Sequence, residues 1–172
     1  IRDRYTAQTV KEQGNGGTAA IRASAEETAP ITDWSKYPTA NLLKLNDGQY
    51  MAVGVTMTVS AGTVTFSGKS ISSGGRTIWL SDGFVLPAGN YFISYTPALS
   101  SDLFVGYISD KKTLSPLGST AAGKFTLKET TEVGFGFNIL SVGAEYSGSY
   151  NIMLNAGDVA YPYAPSFDSI YN

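Results

Sequence analysis

The chain has 172 residues, 42% of them hydrophobic and 15% charged, with a formal net charge of −2. That length suits one domain with an appended arm, and that apolar content excludes a wholly disordered chain. With no histidine and no cysteine, disulfides, thiol nucleophiles, histidine-based triads and His- or Cys-ligated metal centres are all excluded, and the weakly acidic balance argues against a nucleic-acid partner.

The first 40 residues read as an arm or linker. Ile1 to Gln13 is polar and either extended or weakly helical, and Gly14-Asn15-Gly16-Gly17 ends any helix through the entropic cost of glycine. From Thr18 to Ala29 the composition is Ala, Thr, Ser and Glu, with Ile21 the one large apolar residue. Such a segment cannot bury enough apolar surface to fold alone. It is expected to order only against another subunit or a neighbouring domain, a disordered leader being the alternative. A first residue other than Met points to a fragment or processed product. Pro30 and Pro38 punctuate the start of the compact part, where Trp34 and Tyr37 are expected to anchor the arm.

Residues 41–172 form a second region, in which the hydrophobic period is two. Val55, Met57 and Val59 alternate with threonines, Ser60-Ala61-Gly62 turns the chain, and Val64 and Phe66 alternate on the return. Short strands are expected over Thr77–Leu80 and Phe84–Leu86. Pro87-Ala88-Gly89-Asn90 then turns into a strand with Tyr91, Ile93 and Tyr95 in phase. Leu103, Val105 and Tyr107 follow, then Phe125 and Leu127, then Val133, Phe135 and Phe137, and finally Tyr150, Ile152 and Leu154. About ten short strands with turn signals between them predict an all-β fold of two packed antiparallel sheets. A jelly-roll-like sandwich is preferred, with other Greek-key or immunoglobulin-like topologies as alternatives. No run approaches the ~18 apolar residues of a membrane span and no signal-peptide pattern is seen, so no membrane insertion is expected.

Glycoside hydrolysis needs only two carboxylates flanking a cleft. Asp47, Asp82, Asp102, Asp110, Glu129, Glu132, Glu145, Asp158 and Asp168 are the available acids in this region. Most sit beside Gly, Ser, Asn or another charge, where turn chemistry accounts for them. No catalytic residue is assigned, and the chain reads as non-enzymatic. Asn46-Asp47-Gly48, Ser81-Asp82-Gly83 and Gly157-Asp158 lack the spaced acidic run of a calcium loop, so no metal or other cofactor is expected.

The aromatics carry more information: 2 Trp, 11 Tyr and 8 Phe. Phe66, Phe125, Phe135 and Phe137 alternate cleanly and read as core. Tyr combines a flat apolar ring with a polar end, which suits recognition of sugars through their C–H faces and hydroxyls. Trp79, Tyr95, Tyr107 and Tyr146 stand at strand ends or beside Gly/Ser turns and are the candidate ligand-binding residues. The competing reading for each is a half-buried aromatic of the sandwich.

Four stretches together resemble a known family. They are Asn41-Leu42-Leu43, the hairpin Gly54–Val59 with Gly62–Gly68, Leu86-Pro87-Ala88-Gly89-Asn90-Tyr91, and the closing segment Ile152–Pro165. These look like the β-sandwich, carbohydrate-binding-module-like domains of bacteriophage and prophage tail or fibre proteins, over residues 41–167. Gly157, Ala160, Pro162, Tyr163 and Pro165 match the family's closing pattern. Asp158 stands where Ser or Thr is usual, and Ser166 where an aromatic often follows. The family shares no ligand residues, so none is carried over. The resemblance implies a virion protein exposed on the particle surface that recognises host cell-surface glycan. It also implies a homo-oligomer, a trimer by preference, with the arm docking on other virion proteins. Two alternatives stay open: a structural head or tail decoration or fibre protein without sugar binding, and an accessory domain of a glycan-degrading enzyme.

Overall fold

The computed structural model describes residues 34–72, 77–99, 104–119 and 123–166. The chain divides into two units, Ile1–Thr32 and Asp33–Asn172, and the helix and glycine break expected in the arm lie outside the described residues.

A three-strand meander opens the β region: β1 (Gly48–Ala52), β2 (Val55–Ser60) and β3 (Thr63–Lys69). Both of its turns have two central residues with positive φ, Val53 (48°) with Gly54 (85°) and Ala61 (49°) with Gly62 (80°). That is the type I′ arrangement, whose twist matches the flanking strands. The close passage at Gly54 and Gly68 admits no side chain: a Cβ on Gly54 meets the Lys69 carbonyl oxygen, and one on Gly68 meets that of Gly54. The alternation pattern passes over β1, because Val53-Gly54 puts a β-branched residue where Asn or Asp is the usual turn signal.

The remaining strands are β4 (Thr77–Trp79), β5 (Phe84–Leu86), β6 (Gly89–Thr96), β7 (Phe104–Asp110), β8 (Pro116–Ser119), β9 (Gly123–Leu127), β10 (Thr131–Ile139) and β11 (Glu145–Ala156). One sheet has the order β1-β2-β3-β11-β6-β9; the other runs β4-β10-β7-β8, with β5 also paired to β10. Every pairing between these strands is antiparallel. The pairs β3 with β11, β4 and β5 with β10, β6 with β9, and β7 with β8 are nested like the rungs of one long hairpin. Rolling that hairpin up gives the two four-strand layers of a jelly roll, to which β1 and β2 add an extension. The expected all-β, two-sheet sandwich is therefore the observed fold. Strand β8 escaped the sequence pattern because Pro116 and Gly118 suit only an edge, and it pairs with β7 through a register shift at Ile108/Ser109.

The core fills the space between the sheets. Val55, Met57, Val59, Val64 and Phe66 from the meander are buried, as are Val133, Phe135, Phe137 and Ile139 of β10. Phe66 meets Phe137 edge-on at 5.1 Å, and Tyr95 lies 6.3 Å from the same ring, so Phe137 joins both sheets. Burying each such ring is worth about 1.5–3 kcal/mol.

Asn41 ties the two ends of the sandwich together. Its Nδ2 donates to the carbonyls of Ile152 and Ala164, each at 2.9 Å, and its Oδ1 accepts from the N–H groups of Leu43 (3.1 Å) and Leu154 (3.0 Å). All four bonding positions of the amide are thus used, in a residue only 3% exposed. The first and last stretches of the resemblance are bonded to each other through this one side chain. Ahead of it, Trp34 begins a short 3-10 turn, Trp34–Lys36, and packs partly buried against the core. Tyr37 touches Trp34 edge-on at 6.3 Å but is 49% exposed, so of the two expected anchors Trp34 makes the core contact. Among the described residues no helix is long and apolar enough to cross a membrane.

Candidate functional site

The outer face of the five-stranded sheet is organised by β10. Alternation turns Val133, Phe135, Phe137 and Ile139 inward, which leaves Glu132, Gly134, Gly136 and Asn138 facing outward. Gly136 pairs with Trp79 of β4 on one side and Tyr107 of β7 on the other, so all three face outward in one row. At ~4.8 Å per strand, the Trp79 and Tyr107 backbones stand about 10 Å apart, and the residue between them in the row, Gly136, contributes no side chain of its own. Trp79 and Tyr107 are both half-buried. The result is a trough with two aromatic walls, its glycine floor buried beneath neighbouring side chains.

The glycines are required here by close approach. A Cβ on Gly136 would stand 2.5 Å from the Ile78 carbonyl oxygen and 2.8 Å from Thr77 Cγ2. A Cβ on Gly134 would stand 2.7 Å from Lys111 Cδ and 3.5 Å from the Trp79 ring. Lys111 therefore lays its stem over the floor, and its Nζ stands 5.8 Å from the centre of the Trp79 ring, within cation–π range. At the other end Asn138 pairs with Thr77 and Val105, and its Oδ1 is buried without a partner among the described residues. A hydroxyl holds β4 and β5 against β10: Phe135 N–H donates to Ser81 Oγ at 2.8 Å, while Leu80 N–H donates to Phe135 O at 2.9 Å.

Two of the four expected binding residues are elsewhere. Tyr95 is 7% exposed and Tyr146 is 1% exposed; both belong to the core and neither lines a surface. Tyr95 aims its hydroxyl at Gly106, where even a Cβ would collide with it. That hydroxyl has no partner among the described residues, and burial pushes its pKa strongly upward. Tyr146 instead bonds the loop before it, donating to Ser141 O and accepting from Ser141 N at 3.2 Å each. The same device recurs: Tyr91 donates to Pro87 O at 2.7 Å and Tyr50 to Asn46 O at 2.9 Å. Burial raises the Tyr91 pKa to about 12. Three of the 11 tyrosines are thus spent on pinning turns. Gly134, Gly136, Lys111 and Asn138 were missed as site residues, although Val133-Gly134-Phe135-Gly136-Phe137 carried the signal. Glycine at the two central outward positions of an apolar strand lets neighbouring side chains lie close against its backbone.

The acids serve turns and surfaces. Asp47 Oδ1 accepts from Ala61 N at 3.1 Å. Asp110 Oδ1 accepts from the N–H groups of Thr113 (2.9 Å) and Lys112 (2.7 Å), and the Thr113 bond leads the causes that hold this carboxyl below its ordinary pKa. Glu145 stands 3.9 Å from Lys69 on the surface. Asp102 and Asp168 lie outside the described residues. Among the described residues no three acids converge in a way that would hold a metal ion.

Set against known proteins, the chain matches no family model, no curated protein and no solved structure.

Proposed function

We propose that residues 41–166 form a non-catalytic glycan-binding domain that holds a pyranose ring between Trp79 and Tyr107. The observation that carries this reading is their common row across Gly136. Aromatic faces stack on the C–H faces of sugars, and the half-buried Thr77 and the Lys111 ammonium lie beside the same row for contacts with ring substituents. Tail-fibre-type recognition of host cell-surface glycan on a bacteriophage particle is the setting, and it rests on the resemblance of residues 41–167. A trimer would present three shallow sites and gain by avidity what each lacks in affinity.

Glycan-array binding of the purified chain, with oligomeric state fixed by light scattering, tests the reading. Trp79→Ala and Tyr107→Ala should each cost about 1–3 kcal/mol of affinity, on the scale of base–aromatic stacking, without lowering the melting temperature appreciably. Unchanged binding by folded forms of both variants refutes the trough as the site.

A further inference from the structure

Resting on that glycan reading, we infer that the trough selects sugars bearing a carboxylate, such as uronic or sialic acids, with Lys111 as the selecting residue. Three observations converge on it. Lys111 lies over the trough floor, its Cγ and Cδ at 3.4 and 2.7 Å from where a Gly134 Cβ would be, so its stem is part of the site. Its ammonium stands 5.8 Å from the centre of the Trp79 ring, the ring against which a sugar would stack. Among the described residues no carboxylate pairs with that ammonium. Glu132, the nearest acid in the outward row of β10, carries its Oε1 to within 2.7 Å of a Cβ position on Gly83, and Lys111 Cγ stands 3.4 Å from the same point, so this carboxylate lies beside the lysine stem without pairing with its ammonium.

A cation fixed beside a stacking ring is complementary to a sugar whose ring carries a negative group. Charge-assisted hydrogen bonds are the stronger class, and the partial exclusion of water by two aromatic walls favours them. One ammonium with Glu132 on the same face suits a monoanion. A phosphorylated sugar, carrying up to two charges, would meet one cation and the repulsion of Glu132. The aliphatic stem over Gly134 and the cation over Trp79 also hold the ammonium in place, which lowers the entropy lost on binding.

The test uses the full chain on an array of matched neutral, carboxylated and phosphorylated oligosaccharides, such as galactan and galacturonan fragments of equal length. The carboxylated member should bind more tightly than its neutral partner, and the difference should shrink as salt is raised. Lys111→Gln, which keeps most of the stem, should reduce affinity for the carboxylated sugar about tenfold and leave the neutral sugar unchanged. Lys111→Arg should restore the preference. Trp79→Ala should weaken neutral and acidic sugars alike. Equal binding of neutral and carboxylated partners overturns the inference and leaves the glycan reading standing, and so does a preference for the phosphorylated member. Binding to no sugar by the folded oligomer overturns both.

Discussion

The two outer faces of this sandwich are built on the same inward plan and differ in what they do with their surface. On the six-stranded sheet, Thr58, Thr65 and Ser149 stand in one row and Thr56, Ser67 and Ser147 in the next. Thr65 and Ser149 bond to each other at 2.8 Å, and Thr63 donates to Asn151 Oδ1 at 2.8 Å. That face satisfies much of its own polarity laterally, strand to strand. On the five-stranded sheet the corresponding central positions are Gly134 and Gly136, which have no side chain to bond a neighbour and are covered by Lys111 and Thr77 instead. Trp79 and Tyr107 flank a strip of backbone that Lys111 and Thr77 cover. A face whose side chains bond one another needs only water, whereas a face with two half-buried aromatics and a lysine stem between them has apolar surface to give to a partner.

The largest expected effect comes from the residue common to both sheets. Phe137 meets Phe66, Tyr95 and Phe135, so Phe137→Ala should cost about 3–5 kcal/mol. Urea unfolding should show both faces lost in a single transition. Gly106→Ala comes next, destabilising by about 1–3 kcal/mol because the added methyl meets the Tyr95 ring and hydroxyl. Tyr95→Phe removes the closest clashing atom together with a buried, unpaired hydroxyl, so it should recover part of that loss; a double-mutant cycle with purely additive effects would contradict the contact.

Alkali probes the same interior without mutation. Tyr91 stays neutral in the fold until pH about 12, against an ordinary value of 10.0, so between those values the unfolded chain holds fewer protons than the folded one. Stability should therefore be intact below pH 10 and fall as pH rises toward 12, as followed by tyrosinate absorbance against far-ultraviolet circular dichroism. The smallest effect sharpens the contrast between faces. Thr65→Val should change stability by no more than about 0.5 kcal/mol and leave glycan binding untouched, because its hydroxyl serves only its neighbour strand.

How much of this was legible depended on the kind of information. Val55, Met57, Val59, Val64 and Phe66 announced their inward face through strict alternation, and Ala61-Gly62 announced its turn. Tyr95 was misassigned to a rim even though it is in phase with Tyr91 and Ile93, and that phase already turned it inward. Tyr146 was misassigned because β11 begins at Glu145, well before the alternation at Tyr150 made a strand visible, and Gly148 interrupts the apolar pattern between them. Trp79 occupies a strand of three residues, too short for its phase to be read.

By itself the sequence determined the available chemistry, with neither histidine nor cysteine, and an all-β chain of short alternating strands. Both are properties of residues or of close neighbours along the chain. Only the tertiary structure decided that β4 and β7 flank β10, and so that Trp79 and Tyr107 share a row with Gly136 and Lys111 leans over the floor. Alternation fixes which side of its own strand a residue occupies. Which strands become neighbours is set by long-range pairing and by the packing of the whole core, and no local stretch of the chain encodes that.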